Sequence, residues 1–151
     1  MTAKSRSINP DVSAALQTAT ELHGHFGPFL TIGVRMGLLG LQRLGVKPGD
    51  QRLHTTVMLR YSAPISCILD GIQATTKCTI GNTRLTWKES RQISATFQLK
   101  GSKQRLTVRV NPSIVNGLLK RLSGHPTDKA TRMIAEEIES RLDSELFLSE
   151  K

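Results

Sequence analysis

Residues 93–110, ISATFQLKGSKQRLTVRV, decide the fold. Two β-leaning runs, Ile93 to Lys100 and Gln104 to Val110, flank Gly101-Ser102, and a glycine turn between such runs makes an antiparallel hairpin. Just upstream, Arg84 to Lys88 reads as another strand. Leu53 to Tyr61 is a fourth, because Thr55, Val57 and Leu59 alternate with Thr56, Met58 and Arg60. Lys47-Pro48-Gly49-Asp50 is the turn that precedes it. Around these strands lie segments of helical spacing. Val12, Leu16, Ala19 and Leu22 follow Asp11 as N-cap and run to His23-Gly24-His25. Ile32, Val34, Leu38, Leu41 and Leu44 lie between Gly27-Pro28 and a closing Gly45. Ser66 to Thr76 makes a short helix, Asn111-Pro112 opens one through Leu122 that Gly124 closes, and Thr127 to Leu146 makes a last amphipathic helix. The order α-α-β-α-β-β-β-α-α predicts an α+β domain in which helices cover one face of a mainly antiparallel sheet. Gly33, Gly37 and Gly40, three or four residues apart, predict another backbone packed closely on the second helix.

The 151 residues, 38% of them hydrophobic, fit one ordinary domain spanning 1–151. The opening stretch, MTAKSRSINPD, is polar and has no apolar core segment. Gly33, Arg35, Gly37 and Gly40 break the longest apolar stretch. The expectation is a cytoplasmic protein with reduced thiols and no membrane contact. Twenty-one Lys and Arg against twelve Asp and Glu give a formal charge of +9. Such an excess suits nucleic acid, an anionic cofactor or an acidic protein partner, or is simply a solvated basic surface. Six aromatic residues, not interleaved with the basic ones, offer no stacking platform for single strands.

Four soft or borderline ligands stand at helix ends or in loops: His23, His25, Cys67 and Cys78. Two imidazoles at a chain reversal and thiolates from another segment would make a tetrahedral set suited to zinc or another divalent transition metal. The histidines are equally read as helix caps. Cys67, near the start of the short helix, is either a thiolate favoured by the helix dipole or a small buried hydrophobe. Asp70 follows at i+3, placed to orient a metal-bound imidazole, to act as a base, or merely to complement the dipole. Gln73, one turn on, and Asn82, in the Cys78-Thr79-Ile80-Gly81-Asn82 loop, are candidate ligand contacts or ordinary surface and turn residues. The Gly27-Pro28-Phe29 helix start is a candidate anion site, with Arg35 and Arg60 as possible sources of charge.

His23-Gly24-His25-Phe26-Gly27-Pro28 followed by Gly33-Val34-Arg35-Met36-Gly37 resembles the opening signature of the FmdE family, whose name comes from formylmethanofuran dehydrogenase. Cys67-Ile68-Leu69-Asp70-Gly71-Ile72-Gln73 and Cys78-Thr79-Ile80-Gly81-Asn82 are similar to its central motif, in order and at the expected distance. The resemblance extends loosely over about residues 15 to 110. It implies a fold related to the catalytic domain of glyceraldehyde-3-phosphate dehydrogenase, a homodimer, and a metal site built from the His-Gly-His turn and the cysteines. Many members place a cysteine before the proline of the first block, where this chain has Gly27, so one thiolate of the family pattern is missing. The C-terminal zinc ribbon of many members has no counterpart here.

Three functions follow as expectations. The first is a metal-binding accessory or ligand-binding protein using His23, His25, Cys67 and Cys78, with Asp70 behind them and Gln73 and Asn82 on a small molecule. The second is an enzyme with a reactive cysteine or a metal-bound water. The third is a basic module that docks on an enzyme complex or on nucleic acid.

Overall fold

The computed structural model describes residues 10–150; the polar opening residues 1–9 lie outside that range. The elements are α1 (Pro10–His23), α2 (Pro28–Leu44), β1 (Leu53–Leu59), α3 (Cys67–Thr76), β2 (Leu85–Glu89), β3 (Ser94–Leu99), β4 (Arg105–Val110), α4 (Pro112–Leu122), α5 (Asp128–Ser140), α6 (Asp143–Leu146) and β5 (Phe147–Glu150). The strands form one sheet in the order β2-β1-β3-β4-β5. Three of its pairings are antiparallel, and β1 with β2, joined through α3, is parallel. The α+β expectation holds, with helices on one face of a mainly antiparallel sheet.

The C-terminal region departs from the sequence reading. The amphipathic pattern expected to run as one helix to Leu146 ends at Ser140, and the chain resumes as a one-turn helix and an edge strand. Buried Arg35 on α2 holds that break. Its guanidinium donates to the carbonyls of Ile138 (2.9 Å) and Glu139 (3.0 Å) and to Asp143 (2.9 Å). Carbonyls at the end of α5 are thereby satisfied by a side chain from another helix. Arg35 is therefore a clamp between α2 and the C-terminal elements and not a charge at the Gly27-Pro28 helix start.

Alternation sets the two sheet faces. Leu53, Thr55, Val57 and Leu59 of β1 are buried, as are Ala95, Phe97 and Leu99 of β3 and Leu106, Val108 and Val110 of β4. They pack with Ile32, Met36, Ile68 and Ile72 of α2 and α3, Leu118 of α4, and Ile134 and Ile138 of α5. A second cluster fastens α1 to the other side of α2 and α3 through Val12, Leu16, Ala19, Leu30, Val34 and Ala74. The glycine expectation is met at the crossing of α2 and α3. A Cβ on Gly33 would fall on the carbonyl oxygen of Ile68, and one on Gly71 would fall on that of Leu30. The two backbones touch there, and this contact brings the start of α3 against the end of α1.

Candidate functional site

The α2–α3 crossing, with α1 packed over it, brings residues 47 positions apart into hydrogen-bond contact: His23 Nδ1 lies 2.7 Å from Asp70 Oδ2. A carboxylate offers only acceptors, so the proton of this bond resides on Nδ1, and the Nε2 lone pair is left for another partner. The other Asp70 oxygen, Oδ1, accepts from Gln73 Nε2 at 3.3 Å. Gln73 Oε1 in turn accepts from the amide of Ile80 at 3.0 Å. A continuous chain of bonds therefore runs from the His-Gly-His turn through α3 into the loop after it. His23 is one-fifth exposed and Asp70 about one-third, so the pair is sheltered yet open to solvent. This orientation of an imidazole by a carboxylate is the arrangement that presents a histidine to a metal, a proton or a ligand.

His25 stands beside it, with its ring centroid 6.4 Å from that of His23 and the planes inclined by 52°. It is exposed and lies over Gly27: a Cβ there would come 3.1 Å from His25 Cε1. Gly27 is the N-cap of α2, with no side-chain cap, and Pro28 removes a backbone donor from the first turn.

The two cysteines part company. Cys67 opens α3 and is half-buried, and its thiol is pushed up from its ordinary value by burial and then by the nearby Asp70 carboxylate. The expected activation by a helix N-terminus does not materialise. The amides of Cys67, Ile68 and Leu69 already donate to the carbonyls of Pro64, Ile65 and Ser66, so no row of free N–H groups faces the sulfur. Cys78 is buried in the main core and donates its S–H to the carbonyl of Leu53 at 3.3 Å. The left-handed Lys77 that ends α3 turns the chain, and the amide of Cys78 is tied to Thr76 Oγ1. Cys78 is thus packed as a small core residue beneath β1.

The expected four-ligand set of His23, His25, Cys67 and Cys78 is not assembled. Among the described residues no three His, Cys, Asp or Glu side chains lie together so as to hold a metal ion. The residues do not fit a zinc centre of that composition, because its fourth member belongs to the core. Asn82 is also engaged elsewhere. Its Oδ1 accepts from the amides of Thr79 and Arg84, and its Nδ2 donates to the carbonyl of Lys77. It shapes the loop from within, whereas Gln73 joins that loop to Asp70. The sequence reading overlooked Ile80 and Leu22 as surface groups: both are apolar side chains more than half exposed, one in the loop that Gln73 holds and one beside His23. An exposed aliphatic next to a candidate polar residue was the available signal.

The fold and site define an α+β domain that presents a carboxylate-held imidazole at a helix junction. A family model described as "FmdE, Molybdenum formylmethanofuran dehydrogenase operon" matches residues 22–149, and the chain belongs to that family. A crystal structure of an FmdE-like protein of tungsten formylmethanofuran dehydrogenase, from Syntrophus aciditrophicus, superposes with a TM-score of 0.66. The match covers 99% of this chain and 76% of that one at 20% identity, a likeness of fold. A relative from Archaeoglobus fulgidus, named a probable S-adenosyl-L-methionine-binding protein, is 31% identical over 96 residues. The match takes in 64% of this chain and 26% of the relative, so the chain spans about a quarter of that protein's length. Among the described residues no helix is long and apolar enough to cross a membrane.

Proposed function

We propose that this chain is a ligand-binding protein of its family, with its site at the junction of the His-Gly-His turn and the start of α3. The observation that carries the reading is the 2.7 Å contact between His23 and Asp70, made across 47 residues and continued by Gln73 to the Ile80 amide. Three polar side chains aligned by one another around a free imidazole nitrogen, with Leu22 and Ile80 exposed nearby, combine a directional contact with apolar surface. Binding sites for small molecules commonly have that character. His23 is the direct contact, and Asp70 and Gln73 position it. The A. fulgidus relative's name supplies the first ligand to try, S-adenosyl-L-methionine.

Calorimetric titration with that compound tests the reading. Asp70→Asn keeps the size of the side chain and removes the charge that holds the His23 tautomer, and is expected to weaken binding about tenfold, with His23→Gln weakening it at least as much. Binding that ignores both changes would put the site elsewhere. The raised thiol of Cys67 and the burial of Cys78 give the reactive-cysteine reading no activated sulfur.

A further inference from the structure

The helices cover only one side of the sheet. On the other side the strand registers align Thr86, Thr56, Thr96 and Thr107 in a row across β2, β1, β3 and β4. The hydroxyls of Thr96 and Thr107 lie 2.9 Å apart, and Thr86 donates to Thr56 at 3.4 Å. Within this face is a depression of about 380 Å³, floored by Thr56, Thr96 and Met58 and bordered by His54, Lys88 and Arg105. No carboxylate lines it, and neither Lys88 nor Arg105 has a partner among the described residues. The strands that build the face are the basic part of the chain: between Arg84 and Arg109 seven Lys and Arg stand against one acid, Glu89.

We propose that this open sheet face docks an extended acidic segment of a protein partner. Lys88 pairs with Met58 and Arg105 with Gln98, which faces His54, so the two cations stand at diagonal corners of the face. Three strand spacings and four residue rises separate their Cα atoms by roughly 20 Å, and both long side chains reach into one depression between them. One compact anion cannot fill that span. Carboxylates on alternate residues of an extended peptide, about 7 Å apart on one side, match it, with the threonine hydroxyls beneath its polar atoms. A nucleic-acid strand would find no aromatic side chain in the depression on which to stack a base. A second copy of the chain on the same face would set cation against cation.

The test uses a fluorescein-labelled deca-glutamate peptide, read by anisotropy at low and at high salt. Lys88→Glu with Arg105→Glu reverses the two exposed cations of the depression. Lys120→Glu with Lys129→Glu makes the same change of net charge on exposed positions of α4 and α5. The face variant is expected to lose about tenfold in affinity and the control variant no more than about twofold, with circular dichroism unchanged in both. Equal losses in the two variants overturn the proposal. So does tighter competition by a single-stranded RNA decamer than by unlabelled peptide, or light scattering that shows a dimer which only the face variant splits. Absence of binding by the wild type at low salt overturns it as well.

Discussion

The two ends of α3 are ten residues apart on one short helix and have opposite fates. At its start, Cys67 and Asp70 are left half-covered, and Asp70 meets a histidine from α1. At its end, Thr75 and Thr76 are buried, each donating its hydroxyl to the carbonyl four residues back, and Cys78 beyond them is sealed in the core. Between the two ends, Gly71 meets the backbone of α2. The difference teaches that residue type does not make a site. Two cysteines eleven positions apart are sorted by the close crossing of two helices, one toward an open junction and one toward the sheet.

The sharpest way to break this comparison is to push the crossing apart. A methyl on Gly33 would collide with the Ile68 carbonyl, where no flexible side chain can yield. Gly33→Ala is expected to destabilise the fold by about 3 kcal/mol in urea denaturation, since overpacking a rigid contact lies at the upper end of such effects. An unchanged midpoint would mean that the helices do not meet at that glycine. Next in size is Cys78→Ser. A hydroxyl in an apolar pocket, with one carbonyl to bond, costs about 1–2 kcal/mol. Cys67→Ser, at a half-exposed position, should cost well under half of that. In a zinc titration Cys78→Ser should leave whatever affinity the chain has unchanged. A large loss would place Cys78 among the ligands after all.

The elements were legible because their signals are local. Alternation marked β1, β3 and β4, Gly45 marked the end of α2, and Gly101 with its φ of 83° marked the hairpin turn. The break at Ser140 was not legible, because the force that sets it is the reach of Arg35 across more than a hundred residues. In the site, Asp70 at i+3 from Cys67 suggested a carboxylate facing the His-Gly-His turn, and the structure joins it to His23 rather than to a metal centre. Gln73 was singled out as a ligand contact and instead positions Asp70. The fate of Cys78 was hidden. Spacing says that a cysteine follows the helix, but the left-handed Lys77 decides which way it turns.

The open end of α3 can be sharpened by restoring what the family pattern has and this chain lacks. In Gly27→Cys the new Cβ would sit 3.1 Å from His25 Cε1 and 3.3 Å from Nδ1, a tight approach that an exposed imidazole relieves by a small shift. The substitution should therefore be nearly neutral for stability, and it puts a sulfur beside the two histidines. Zinc affinity is expected to rise about tenfold over wild type, read by competition with a chromogenic chelator. No gain would mean that the two imidazoles cannot turn toward one point.

The smallest expected effect concerns Cys67. Its thiol is raised first by burial and then by Asp70, so at neutral pH it is held protonated, and the thiolate that alkylating agents require is scarce. Removing the neighbouring negative charge acts only on the lesser of the two causes. It lowers the thiol back toward its ordinary value, increases the thiolate fraction at a given pH, and should speed iodoacetamide labelling about threefold in Asp70→Asn. Cys78, with its sulfur in the core, should label in neither protein until it unfolds. Burial alone would leave Asp70→Asn and wild type labelling at the same rate, so the ratio measures how far the carboxylate that holds His23 is also felt at the sulfur.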